Sequence, residues 1–354
     1  MPDHSGQDVA VAIEAGRLAA NCARMMEKAG MPETGARITA DSLVDADLRG
    51  THSHGVIQLP GYLDRLMAGG INPRPTLRAV ADTPSLAILD GDGGMGQVVS
   101  HQAMTLAISK GKQTGAGFVG VRNSEHFGAC SYWSAMAVAA DMIGICSTNG
   151  VSCMPPFGGI TGTIGNNPIA IAAPAGREYP VIIDIATSVV AQGKMRVAAA
   201  RGEKIPRDWA ITLDGEPTDD PLEGLKGLVL PVAGYKGFGL AVAFEVLTAV
   251  LTGAPFAKQV PLDPGPAEPL RIGHFFQAID IAPLIPVPEF KSRMDELVRQ
   301  IKESKLAKGV RRIYAPGEIE EETKAIRLRS GIPLAHPVIY DLKSVASRLG
   351  VTWQ

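Results

Sequence analysis

Long apolar runs are missing from this 354-residue sequence. None reaches the ~18 to 20 residues of a membrane-crossing helix, because Gly, Lys or Asp interrupts each one. Cysteine is scarce as well. The four present, Cys22, Cys130, Cys146 and Cys153, have neither CxxC spacing nor the density of a secreted disulfide scaffold. Charge of one sign is not in excess, with 34 basic against 36 acidic residues and a net charge of −2. No Lys/Arg stripe interleaves with aromatics, which make up 5% of the chain, so nothing points to nucleic acid. Met1-Pro2-Asp3-His4 lacks the basic-then-apolar order of a signal peptide. Together these absences lead us to expect a cytoplasmic protein with free thiols and no membrane or nucleic-acid partner.

What is present is a globular composition, 45% hydrophobic and 20% charged, long enough for two or three domains around a large core. The first ~85 residues read as helical at Val9–Lys28, Pro32–Leu48 and Val56–Met67, with Gly69 as a stop signal. Beyond Ser85 short strand-like runs alternate with small-residue helices. The strands are expected at Leu86–Leu89, Gly117–Arg122, Ile143–Ser147, Pro168–Ala172 and Val181–Ile185. The helices are expected at Gln97–Lys110, Ala129–Ala140, Ser188–Ala200 and Gly237–Leu251. Ile205–Gly224 and the proline-bearing Gly253–Gly273 read as surface excursions, and Pro288–Leu306 and Leu342–Leu349 as late helices.

The junction Asp47-Leu48-Arg49-Gly50-Thr51-His52-Ser53-His54-Gly55 lies between two of these helices. A histidine just before a helix N-terminus stands beside unpaired N–H groups that favour an anion. A proton donor at an anion site is what an enzyme of small carboxylates needs. His52 and His54 also form an HxH pair. The other histidines lack ligand-like spacing, so the reading is no metal.

His126, in Arg122-Asn123-Ser124-Glu125-His126-Phe127-Gly128, falls at the carboxyl end of a strand, where α/β ligand sites concentrate. The pattern leaves open a plain helix start in which Ser124 caps and His126 packs. Gly91-Asp92-Gly93-Gly94-Met95-Gly96 satisfies GxGxxG, but no strand with a terminal acid follows ~20 residues on, which favours a glycine-rich turn. Gly234-Tyr235-Lys236-Gly237 opens a long helix, where Lys236 could hold a pyrophosphate. Ser147-Thr148-Asn149-Gly150 and Gly165-Asn166-Asn167-Pro168 are polar clusters beside strands, open to turn chemistry or to ribose and carboxamide contacts. Asp184, closing an apolar run, reads as a site acid or a helix cap. Cys130 and Cys146 sit in apolar contexts suited to inert thiols.

Taken in order along nearly the whole chain, with Asp184-Ile185-Ala186-Thr187-Ser188 and Pro316-Gly317-Glu318 added, these segments resemble a known family. It is the malate/L-lactate dehydrogenase family of the sulfolactate dehydrogenase type, which includes ureidoglycolate, diketogulonate and piperideine- or pyrroline-carboxylate oxidoreductases. The resemblance implies an α/β (α+β) fold with a non-Rossmann nicotinamide-binding domain, built on a large mixed, mostly antiparallel sheet. A helical substrate and dimerisation domain would come from residues 1–85 with 310–354, the sheet domain from 86–309, and the assembly would be a homodimer.

The resemblance further implies reversible hydride transfer between NAD or NADP and a small 2-oxo or 2-hydroxy acid. Reduction of a cyclic 2-imino acid is the alternative, and a metal-dependent hydrolase using His52 and His54 or a non-catalytic nicotinamide-binding protein are rivals of other classes. His54 and His126 carry the acid/base role, with Ser53 orienting His54. Arg49, Gln58 and Asn166 face substrate. Cofactor contacts fall on Thr148, Asn149, Gly150, Ile182, Asp184, Ala186, Tyr235, Lys236, Gly317 and Glu318. Gln58 stands where the family commonly has arginine; a neutral amide replaces a charged fork, so either Arg49 takes over the carboxylate or the substrate presents a less charged group there.

Overall fold

A computed structural model describes residues 11–354. The chain opens with strand β1 (Val11–Ile13) and helices α1 (Ala15–Lys28), α2 (Glu33–Leu48) and α3 (Leu59–Ala68). There follow β2 (Arg78–Asp82), β3 (Leu86–Gly94), α4 (Gly96–Thr114), β4 (Ala116–Ser124), α5 (Cys130–Val138), β5 (Met142–Thr148), β6 (Ile169–Ala173) and β7 (Val181–Ile185). Next come α6 (Gln192–Arg201), β8 (Ala210–Ile211), α7 (Pro221–Lys226), β9 (Leu228–Val229) and α8 (Tyr235–Glu245). The chain ends with β10 (Ile272–Asp280), α9 (Val287–Lys302), α10 (Glu318–Ser330), β11 (Ile332–Leu334) and α11 (His336–Arg348).

The expected helix Val9–Lys28 begins only at Ala15, because the Glu14 carboxylate caps it by accepting the N–H groups of Gly16 and Arg17 at 2.8 and 2.7 Å. Residues 11–13 form β1 instead, and Val9 lies outside the described residues. Gly69 ends α3 as expected, in the left-handed conformation at φ 86° that a helix C′ position favours.

Strands β2-β3-β4-β10-β5-β6-β7 form one sheet in that order, with only β3 and β4 parallel, joined over α4. The sheet is therefore mixed and mostly antiparallel, as expected, and its edge strand starts at Arg78, ahead of residue 86. Its central strand β10 was not expected: Ile272 to Phe276 are all buried, and the polar His274 and Gln277 break the apolar run. Helices α4 and α5 cover one face, where Trp133 of α5 packs into a core with Val119, Val121, Phe127 and Phe276, while the π-helical continuation of α8 (Val246–Val250) lies against β4 and β10.

A second core joins both ends of the chain. Leu18, Met25, Leu43, Leu59 and Leu63 pack with Ile332, Ile339 and Leu342, and β1 pairs antiparallel with β11. Burying each such side chain stabilises the fold by ~1.5 to 3 kcal/mol, so the terminal segments are held by packing as well as by the strand pair. No helix among the described residues is long and apolar enough to cross a membrane.

Candidate active site

The chain leaves α2 through Gly50 (φ 88°), makes two short 3-10 turns at His52–His54 and Val56–Gln58, and enters α3. The junction holds an anion of its own. Asp47, its side chain 2% exposed, accepts the Val56 N–H at 2.8 Å and the His52 Nδ1–H at 2.6 Å. An N–H expected to await a substrate carboxylate is thus already satisfied. Arg49 is also turned inward, 10% exposed and bonded to Asp45 at 2.7 Å and Glu321 at 2.8 Å, which takes it from the open carboxylate-clamping role expected of it. Gln58 donates its amide to the Ser53 carbonyl at 2.7 Å and so braces the turn.

The two expected histidines, 72 positions apart in the chain's numbering, come together. The rings of His54 and His126 stack with centroids 5.7 Å apart and planes 26° apart. Both are half-buried. Ser53 Oγ lies 3.0 Å from His54 Nδ1. The crowding of protein around His54 lowers its pKa from 6.5, and the nearby Asp184 carboxylate opposes that shift. Burial pushes the Asp184 carboxyl up, although one of its oxygens accepts the Ser131 N–H at 2.8 Å and the residue still keeps an open edge. Burial, with the neighbouring His54, takes His126 down to about 3, so it stays neutral at physiological pH.

A hydrogen-bond chain decides which nitrogen of His126 carries the proton. Gln97 Nε2 donates to Tyr62 Oη at 3.3 Å, and the Tyr62 hydroxyl donates to His126 Nδ1 at 2.5 Å. The tyrosine is deeply buried and its pKa is raised, which keeps it a donor. His126 therefore presents Nε2–H, a neutral donor.

The backbone around His126 is fixed by packing. Helix α4 starts so close that a Cβ at Gly96 would lie 2.2 Å from the Glu125 carbonyl and 2.3 Å from that of His126. Of the other two motif glycines, Gly91 is filled by protein against the Asn123 carbonyl, whereas Gly93 is open and takes φ 64°; with Gly94 packed on Pro75, the segment closes β3 as a glycine bend. Glu125 accepts from Arg65 and from the Leu270 N–H, both at 2.7 Å, tying the preceding residue to α3 and to the 265–271 loop.

The expected cofactor residues divide into two groups. Thr148 and Asn149 are buried supports: Asn149 accepts the Gly273 N–H at 2.8 Å and donates to the Pro255 carbonyl at 2.9 Å. Glu318, also buried, is ion-paired with Lys302 and Arg312, and Ile182 is zipped by its N–H to the Pro316 carbonyl at 3.2 Å beside Gly317. Asp184, Tyr235 and Lys236 are exposed and Gly150 and Ala186 half-buried: none of the described residues lies within 4 Å of a Cβ built at Gly150, and Tyr235 is 63% exposed beside Phe157. Asn166 holds the Thr187 N–H through its carbonyl at 2.9 Å and is half-buried.

Four contributors escaped the sequence reading. Tyr62 was visible only as an apolar helix position, and Gln97 as the start of a helix. His274 read as a scattered histidine, yet it bridges Ser124 at 2.9 Å and Thr148 at 2.8 Å and stacks on Phe127 at 4.6 Å, cross-linking the strand ends that lead to His126 and Gly150. Arg327 lies on α10, a helix not expected at all; its high charge, with no broad apolar stripe, hid it. Cys130 and Cys146 are buried, and burial raises the Cys130 thiol, as suits inert groups. Among the described residues no three His, Cys, Asp or Glu side chains group as a metal site, and His52 is occupied by Asp47 and Arg327.

Comparison with known proteins places this geometry. A family model described as malate/L-lactate dehydrogenase matches residues 13–343. Malate dehydrogenase of Pyrococcus abyssi is 42% identical over 336 residues, covering 93% of this chain and 92% of that protein. The sulfolactate dehydrogenase structure from Methanocaldococcus jannaschii superposes with a TM-score of 0.91 at 41% identity, covering 97% of this chain and 98% of that one. The Δ1-piperideine-2-carboxylate reductase of Pseudomonas syringae pv. tomato gives 0.85 at 27% identity, covering 95% and 100%. With a stacked histidine pair on a mixed sheet and matches over almost its full length, the chain belongs to the malate/L-lactate dehydrogenase family.

Proposed function

We propose that the protein moves a hydride between a nicotinamide cofactor, NAD or NADP, and C2 of a small 2-hydroxy or 2-oxo acid, with the proton handled by His54. The observation that carries this reading is the stacked pair of unlike imidazoles, one titratable and one held neutral. In the oxidative direction neutral His54 takes the hydroxyl proton, and the Asp184 carboxylate stabilises the imidazolium. In the reductive direction the imidazolium returns it. His126, an Nε2–H donor held by Tyr62, polarises the oxygen without changing charge. Such division of labour between neighbouring groups follows from environments that set their pKa values apart.

The open surface suits a dinucleotide. Lys236 and Tyr235 at the start of α8, Gly150, and the exposed edge of β7 through Asp184 to Ala186 would hold it, the cation meeting pyrophosphate and the ring meeting a base. The bound cofactor would accept or give the hydride. Exposed Arg196 and Arg201 on α6 would decide whether a 2′-phosphate is welcome. A second copy of the chain would cover the apolar face of α8 and its continuation, where Leu240, Val246, Val250 and Leu251 are each about half exposed.

Oxidation of NADH and NADPH by oxaloacetate, pyruvate and sulfopyruvate tests the reading directly. Turnover of one or more is expected, with EDTA without effect. Turnover of cyclic 2-imino acids alone would favour the second reading, to which the piperideine-carboxylate reductase likeness points. No cofactor oxidation with either set would overturn both.

A further inference from the structure

Among the described residues the His54 ring makes no hydrogen bond beyond the neighbouring Ser53, yet the turn that carries it is held at both flanks by one carboxylate. Asp47 reaches from the end of α2 and binds His52, two residues before His54, and Val56, two residues after it, at 2.6 and 2.8 Å. The turn is moulded on that carboxylate. A Cβ at Gly55 would stand 2.3 Å from the carboxyl carbon and from both oxygens, so only glycine lets the chain wrap so closely.

A third group completes the clasp. Arg327 of α10 donates one guanidinium nitrogen to the Asp47 carbonyl and, at 3.0 Å, to His52 Nε2. His52 therefore donates through Nδ1 and accepts through Nε2, a neutral link between an anion and a cation. Helix α10 is itself fastened to α2 by Glu321 on Arg49 and Lys324 on Asp45. Glu321, Lys324 and Arg327 recur every three residues, which puts them along one face of α10.

We propose that Asp47, with His52 and Arg327, is the positioning device that sets where His54 stands relative to His126 and Asp184, and that helix α10 thereby acts on the proton-transfer site without touching substrate. The proposal rests on the reading that His54 moves the proton. A displacement of about 1 Å in a reacting group can cost on the order of 10²-fold in rate. In Asp47→Asn one oxygen becomes an N–H₂ that meets either the Val56 N–H or the His52 Nδ1–H, donor against donor, so one flank of the turn must release.

The test is Asp47→Asn read two ways, with Arg327→Ala as a partner variant whose half-buried side chain leaves the core intact. In steady-state kinetics kcat falls by about 10- to 100-fold, with KM for cofactor and substrate within about threefold of wild type. Arg327→Ala falls less, by about 3- to 10-fold, and Arg327→Lys regains part of that loss. In a histidine-side-chain NMR titration the His54 curve moves in both variants, a readout that needs no substrate and so separates failure of this inference from failure of the proposed reaction. A role limited to stability lowers the melting temperature alone. Unchanged kcat per folded molecule with a superimposable His54 titration in Arg327→Ala overturns the proposal even where Asp47→Asn fails to fold.

Discussion

Replacing Tyr62 by phenylalanine removes one oxygen and no packing, so its effect isolates the hydrogen-bond chain behind His126. Two buried groups lose a partner: His126 Nδ1, now 2.5 Å from the hydroxyl, and Gln97 Nε2, 3.3 Å from it. Among the described residues Gln97 Oε1 already lacks a partner, so the whole amide becomes unpaired. Each orphaned group costs ~1 to 3 kcal/mol, the longer bond standing at the low end, which puts the loss of stability at roughly 2 to 4 kcal/mol. The same ~1 to 3 kcal/mol is what fixes the proton on Nε2 of His126. Without it the two tautomers approach equal population, which lowers kcat about twofold, and a ring no longer held can stand about 1 Å away, which raises the loss to as much as about 100-fold. The assay is kcat in both directions, with the melting temperature measured in parallel. The double variant Tyr62→Phe/Gln97→Leu recovers stability, because no unpaired amide remains, and leaves kcat low. A Tyr62→Phe enzyme with wild-type kcat would refute the tautomer argument, since nothing else in that chain can orient His126.

Further outcomes follow from the same geometry. Because burial lowers His54 from 6.5, oxidative kcat/KM rises with pH along a limb below 6.5 and then levels, while the reductive value falls across the same limb. Asp184→Asn removes the charge that supports the imidazolium, so a pH–rate series shows that limb displaced to lower pH; an unmoved limb would remove Asp184 from the site. Gly96→Ala forces a methyl against two carbonyls and is expected to cost ~1 to 3 kcal/mol in denaturant unfolding, with kcat lowered through His126. His126 and His274 are both held down to about 3, so the unfolded chain binds protons that the native one refuses. Stability therefore falls as pH drops from 6.5 towards 3, by up to about 1.4 kcal/mol per pH unit for each group, and His274→Gln flattens the slope if it folds.

Much of the site was legible because its residues sit where sequence pattern is strong. The junction from Asp47 to Gly55 separates two periodic helices, and His126 follows an unmistakable strand. The pairing of His54 with His126 was visible only through family resemblance, since spacing says nothing about two segments joined by a sheet crossover. What the pattern hid was hidden for physical reasons. Strand β10 is buried on both faces, so it lacks alternation, and its histidine looked like an interruption. Helix α10 draws its stability partly from ion pairs with α2 and shows little apolar face. Arg49 read as a free cation because Asp45 is one helical turn away and Glu321 arrives from the far end of the chain. Tyr62 satisfied a core position while its hydroxyl reached the site.

The most direct test of hydride transfer at this histidine pair follows deuterium from NADH or NADPH labelled at both C4 positions during reduction of a 2-oxo acid, with wild type and His54→Ala compared. Label bound to C2 of the hydroxy-acid product is expected, at a rate about 10² to 10⁴ lower in the variant. Product without label at C2, or an undiminished rate in His54→Ala, would contradict it.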